Sequence, residues 1–103
     1  MHEFTFTETK RIGSTHYFTL TGRVHSKEAA YMEYTLENAM KSGCTNIIIN
    51  MCLVYVFTSV AIRVILTAYQ KMKGKGGTLQ IENPSENVRN VIGMTALDEM
   101  LLK

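Results

Sequence analysis

Residues 55–66 read YVFTSVAIRVIL. A β-branched apolar run arrives at two adjacent hydroxyls, Thr58 and Ser59, and beyond them the apolar residues recur with helical spacing. Ile62, Ile65, Leu66, Tyr69 and Met72 extend that stripe, so a helix begins at the hydroxyl pair. A Ser or Thr at such a junction offers its oxygen to the free N–H groups of the first helical turn. Either Thr58 caps the helix and Ser59 is the exposed hydroxyl, or the reverse. A buried strand that hands over to a buried helix points to an α/β domain.

Upstream, TNIIINM (residues 45–51) forms a short strand that is apolar on consecutive positions, which predicts a central strand covered on both faces. Asn50 stands at its end, where Asn commonly shapes a turn. Before it, SKEAAYMEYTLENAMKSG places Ala29, Met32, Leu36, Ala39 and Met40 three or four apart, an amphipathic helix. Ser26 is its expected N-cap, Glu28 lies in the first turn and Gly43 is the expected stop. Earlier still, Phe4 and Phe6 alternate with Thr5 and Thr7, Ile12-Gly13-Ser14 turns, and THYFTLTGRV alternates again. That is a β-hairpin, with Gly22 expected to end its second strand.

Downstream, the helix after Ser59 closes in KGKGG. Lys75 among glycines does not make a phosphate loop, which follows a strand and opens a helix. TLQIEN is a further strand. Asn83 is then expected to cap a helix with Pro84 in its first position and Glu86 completing a capping box, and Val88, Val91 and Ile92 form its apolar side. TALDEMLLK ends the chain as a last strand or short helix. The order is β-β-α-β-α-β-α plus a short final element, an α/β fold with a mixed, mostly parallel sheet.

Composition narrows the function. The 103 residues are 46% hydrophobic and 19% charged, which suits one folded domain over residues 1–103 and excludes disorder. A net charge of +2 gives no footprint for nucleic acid. The longest apolar stretch, residues 47–57, is too short to span a bilayer, and MHEFTFTETKR has no signal-peptide core. A soluble, cytoplasmic protein is expected. Cys44 and Cys52 have no zinc spacing, and His2, His16 and His25 stand apart from other ligand types, so no metal or other cofactor is expected. No nucleophile or orienting acid accompanies His25, which reads as a polar loop residue.

With these parts in order, the chain resembles the STAS domain family, particularly the small bacterial anti-sigma factor antagonists. FTLTGRV looks like the family's strand ending in a glycine-led loop, and TNIIINM like its strand ending in Asp or Asn before a connector. YVFTSVAIRVILTAYQKMKGKGG looks like the connector, phosphorylatable loop and helix, often written Asp-Ser-Ser-Gly-Leu-Gly. LQIENPSENVRNVIGMTALDEML is the closest match, similar to the strand, Asn-Pro-Ser turn and final helix. The resemblance implies a regulatory module without catalysis. Such a protein binds an anti-sigma factor that is also a serine kinase, frees the sigma factor, and is released when phosphorylated. By position Ser59 matches the phosphoacceptor, with Thr58 second.

The chain departs from that pattern in chemistry. Thr58 replaces the acidic residue before the serine, Val60 and Ala61 replace the following Ser/Thr and Gly, and Arg63 stands at the second Gly. Gly22-Arg23-Val24-His25 stands for Gly-Glu-Leu-Asp and loses both carboxylates. If the loops are neighbours, as in the family, Arg23, His25, Lys27 and Arg63 surround Ser59 with positive charge. Arg63 is expected to project to solvent with its stem along the surface. The expected partner-binding residues are Arg23, Val24, His25, Asn50, Thr58, Ser59, Ile62 and Arg63, with Asn50 as a floor of the site. The alternative is a STAS scaffold that binds partners without ever being phosphorylated.

Overall fold

A computed structural model describes residues 3–94. The expected final element, TALDEMLLK, lies outside the described residues. The elements are β1 (Thr5–Ile12), β2 (Thr15–Val24), α1 (Ser26–Lys41), β3 (Asn46–Phe57), α2 (Ser59–Gly74), β4 (Thr78–Glu82) and α3 (Glu86–Met94). They build a single four-stranded mixed sheet in the order β1-β2-β3-β4. The hairpin β1–β2 is antiparallel; β2–β3 and β3–β4 are parallel.

Alternation along each strand decides which face is buried. His16, Phe18, Leu20 and Val24 of β2 point inward, as do Ile47, Ile49 and Met51 of β3 and Leu79 and Ile81 of β4. They meet Ala29, Met32 and Leu36 of α1, Ala61, Ile62, Ile65 and Met72 of α2, and Val88 and Ile92 of α3 in one core. Each fully buried Leu, Ile or Met contributes about 1.5–3 kcal/mol of hydrophobic stabilisation.

The expectation that β3 is covered on both faces is corrected. Asn46, Ile48 and Asn50, on its other face, are only half-buried. Ile48 is sheltered there by its lateral neighbours Tyr17 and Gln80 rather than by a second helical layer.

Two strand ends also differ from expectation. Gly22 does not end β2, which continues to Val24. At Gly22 φ is +91°, and a Cβ would lie 2.4 Å from the Glu3 carbonyl oxygen, so the residue permits both a left-handed bend and the passage of the N-terminal segment. β3 does not end near Asn50 but runs on to Phe57, and the register slips against β2 between Thr19 and Thr21 and again between Gly22 and Arg23. The Asn50 side-chain oxygen accepts the Cys52 N–H at 3.0 Å and so satisfies a donor at the first slip.

β4 pairs with β3 only as far as Asn50–Glu82. Past that point α3 takes over: the Ser85 N–H donates to the Met51 carbonyl at 3.1 Å, and the Asn87 amide donates to the Tyr55 carbonyl. The expected cap of α3 moves accordingly. Asn83 adopts φ +50° and makes the turn, while Ser85 Oγ accepts the Val88 N–H at 3.3 Å.

At the N-terminal end of the parallel strands the chain is stitched crosswise. Thr45 donates its N–H to the Ser14 carbonyl, and Thr78 donates to the Thr45 carbonyl, each at 2.9 Å. Ser14 Oγ and Thr45 Oγ1 share a hydrogen bond at 2.7 Å, and Thr78 Oγ1 donates to Asn46 Oδ1 at 2.7 Å. Gly77 packs so closely that a Cβ would lie 2.2 Å from the Thr45 oxygen.

Candidate functional site

Because β2, β3 and β4 are parallel, the segments that leave β2 and β3 for α1 and α2 emerge at the same sheet edge, where α/β proteins place their sites. Arg23 is in register with Val56 and Val24 with Phe57. The glycine-led loop and the hydroxyl pair are therefore neighbours.

Thr58 joins them. It is the N-cap of α2, with φ −84° and ψ 169°, and its Oγ1 accepts the Ala61 N–H at 3.4 Å. The same hydroxyl donates to the Val24 carbonyl at 3.0 Å, and the Thr58 N–H reaches that carbonyl at 3.4 Å. Both roles of the hydroxyl are taken. Ser59 is the first helical residue, exposed, and its hydroxyl makes no hydrogen bond among the described residues. The alternative left open by sequence resolves to Thr58 as cap and Ser59 as free hydroxyl.

The α1 side is similar in position and different in chemistry. His25, not Ser26, is the N-cap, because its carbonyl already accepts the Ala29 N–H at 2.9 Å. Glu28 reaches back so that its Oε1 accepts the His25 N–H at 3.2 Å. Arg23, His25 and Lys27 are exposed. Arg63, four residues after Ser59, is exposed on the same side of α2. Among the described residues, none of Arg23, Lys27 and Arg63 lies in an ion pair.

Three expected surface residues are placed elsewhere. Val24 is 0% and Ile62 5% exposed; both belong to the core and support the surface from beneath. Alternation explains Val24, and the helical stripe explains Ile62. Asn50 lies inside β3, seven residues before Phe57 and roughly 20 Å from it along the strand. It lines an open polar depression of about 410 Å³ on the uncovered sheet face, with Thr9, Lys10, Tyr17 and Glu82. It is not the floor of the Ser59 surface.

Sequence reasoning passed over Leu53 and Tyr55, which are 50% and 41% exposed on β3. Both were absorbed into an apolar run, and only the register slips turn them outward. No group of three or more His, Cys, Asp and Glu side chains suited to a metal ion occurs among the described residues. No helix among them is long and apolar enough to cross a membrane.

A mixed sheet whose β2 and β3 crossovers leave at one end, with an exposed serine at the start of α2, defines a small α/β module. The chain belongs to the STAS domain family, whose model matches residues 6–103. It is similar to the anti-sigma factor antagonist SpoIIAA in its unphosphorylated form, with 21% identity, 96% of this chain and 85% of that one covered, and a TM-score of 0.81. The phosphorylated form of the Bacillus cell fate determinant SpoIIAA gives 20% identity, 96% and 88% coverage and a TM-score of 0.75. An anti-sigma factor antagonist from Mycobacterium paratuberculosis gives 16%, 99% and 85%, and 0.82. At these identities the likeness establishes the fold. No curated protein sequence matches the chain significantly.

Proposed function

We propose that this protein is a bacterial, cytoplasmic regulator of the anti-sigma factor antagonist type, which binds an anti-sigma factor with serine kinase activity and loses that binding when Ser59 is phosphorylated. The observation that carries the reading is the division of labour at the hydroxyl pair. Thr58 is consumed by the cap and by Val24, while Ser59 is exposed and its hydroxyl unbonded among the described residues. A kinase can therefore reach Ser59 without dismantling the start of α2.

The physical consequence of a phosphate there is local. The Ser59 and Val60 N–H groups lie in the first helical turn, where the helix dipole favours an anion. The modification adds about −1.5 to −2 charge. The fold tolerates it, and a docked surface does not. The similarity to both the unphosphorylated and phosphorylated forms of SpoIIAA supports the same frame for both states.

A second reading has its own observation. Thr58 stands where the family pattern has an acidic residue, and Arg23 and His25 stand where it has carboxylates. These changes favour a STAS scaffold in a bacterial signalling complex that is never phosphorylated. Partner capture from the native host separates the two, using wild type, Ser59→Ala and Ser59→Asp. The switch predicts an ATP-binding anti-sigma factor held by wild type and Ser59→Ala and lost by Ser59→Asp. Equal capture by all three supports the scaffold and contradicts the switch.

A further inference from the structure

We infer that the peptide unit joining Val24 to His25 couples Ser59 to the start of α1, so that a phosphate on Ser59 loosens the β2–α1 crossover as well as charging its own surface. Thr58 and Glu28 are the positioning residues of that coupling. The inference rests on the regulatory reading of Ser59 and adds how the state of that site reaches the neighbouring segment.

One peptide plane is held from both sides. Its carbonyl, that of Val24, accepts the Thr58 hydroxyl at 3.0 Å and the Thr58 N–H at 3.4 Å. A carbonyl oxygen has two lone pairs, and a single residue at the start of α2 occupies both. The N–H of the same plane, that of His25, donates to Glu28 Oε1 at 3.2 Å. The His25 carbonyl then accepts the Ala29 N–H at 2.9 Å and opens α1. Thr58 therefore holds one side of the plane for α2, and Glu28 holds the other for α1. The Val24 side chain is fully buried, so the plane stands on an anchored residue and turns only when one of these ties is given up.

The bonds continue into the turn that carries Ser59. The Thr58 oxygen that donates to Val24 also accepts the Ala61 N–H at 3.4 Å, and the Thr58 carbonyl accepts the Ile62 N–H at 3.1 Å. Ser59 lies between these partners, in a first turn that contains no acid. A phosphate there brings three strong acceptor oxygens to the N–H groups of that turn. Hydrogen bonds to an ionised acceptor are roughly twice as strong as neutral ones, so the phosphate competes with the Thr58 oxygen for the Ala61 N–H. Thr58 then loses a contact that fixes its hydroxyl against the Val24 carbonyl. Glu28 is left to hold the plane with less support.

The test compares amide exchange with solvent, read by NMR, in the unmodified chain and in protein carrying phosphoserine at position 59. The phosphoserine is introduced during translation, so neither kinase nor partner is needed. The phosphate is expected to speed exchange at His25 and Ala29 roughly fivefold while the dispersed spectrum persists. Thr58→Val keeps the side-chain shape without the hydroxyl. It should speed the same two amides in the unmodified chain, and the phosphate should then add nothing there. Thr58→Ser should restore the wild-type response. Coupling between two sites is reciprocal, so Glu28→Ala should speed exchange at Ala61 and Ile62. Glu28→Gln, whose amide oxygen still accepts the His25 N–H, should not. A Glu28 that only caps α1 would alter α1 alone. Should Thr58→Val disturb the fold, the two Glu28 variants carry the test.

A phosphate effect confined to residues 60–62, an undiminished effect at His25 in Thr58→Val, or unchanged exchange at Ala61 in Glu28→Ala would overturn the inference. If partner capture depends on Ser59 while His25 and Ala29 ignore the phosphate, the coupling falls and the regulatory reading stands. If the phosphate loosens α1 as expected but no capture depends on Ser59, the regulatory reading falls and the coupling stands.

Discussion

At the N-terminal end of the parallel strands, side chains and backbone of Ser14, Thr45, Asn46 and Thr78 bond one another across three segments, whereas at the C-terminal end, among the described residues, Thr58 is the one side chain that ties the two crossover segments together. The first end spends its polar groups on itself. The second leaves Ser59, Arg23, Lys27 and Arg63 facing outward. The difference teaches where to look for function: at the edge where polar groups remain unspent.

The sharpest way to break the stitched end is Gly77→Ala. The new Cβ would meet the Thr45 oxygen, a backbone atom with little room to yield. A loss of about 1–3 kcal/mol is expected in chemical denaturation, with partner capture unchanged in the remaining folded protein. At the open end, Thr58→Ala removes both the cap and the bond to Val24, and should cost about 1 kcal/mol. Thr58→Ser should recover most of that loss, since it restores a hydroxyl.

Ser59→Ala sharpens the contrast with its neighbour. It should change stability by less than about 0.5 kcal/mol, because the Ser59 hydroxyl makes no hydrogen bond among the described residues. A stability loss equal to that of Thr58→Ala would show that Ser59 shares the capping role.

The smallest expected effect concerns pH and lies back on the hairpin. The Arg11 guanidinium donates to Glu8 at 2.7 and 2.9 Å and holds its carboxyl below the ordinary carboxylate range, with burial opposing and the charges of Arg11 and His16 adding. Unfolding returns Glu8 to that ordinary range. The pair therefore favours the folded state above it, and this contribution is lost as pH falls through the depressed folded value. Glu8→Gln should lower the midpoint of thermal unfolding slightly at neutral pH and not at strongly acid pH. Salt should shrink the difference.

Much of the fold was legible because its signals are periodic. The switch from period 2 to period 3.6 after Gly22, and again after Phe57, located the elements in order. What escaped notice depended on contacts distant in sequence. The run from Ile47 to Phe57 is similarly apolar on either side of Asn50, so nothing local said that β4 would stop pairing at Asn50 and that α3 would close the rest. Asn50 accordingly looked like a strand end when it is a mid-strand residue beside a register slip.

Caps slipped by one or two residues for a similar reason. Ser26 and Asn83 are good capping types, but the carbonyl that starts α1 belongs to His25, and a positive φ commits Asn83 to the turn. At the candidate site the residue types were readable and their assignment was not. Thr58 and Ser59 have equal capping chemistry, and only the Val24 carbonyl, 34 residues away, distinguishes them. Val24 and Ile62 show the opposite error: motif position marked them for the surface, and alternation and helical phase placed them in the core.

The central claim is that binding at the open end is governed by the state of Ser59. Its most direct test is mass spectrometry of the protein isolated gently from its native host, with partner-bound and free fractions compared. The account predicts phosphate on Ser59 in the free fraction and an unmodified Ser59 in the fraction that carries an anti-sigma factor. Unmodified Ser59 in both fractions under several growth conditions, with stable partners present, would contradict it.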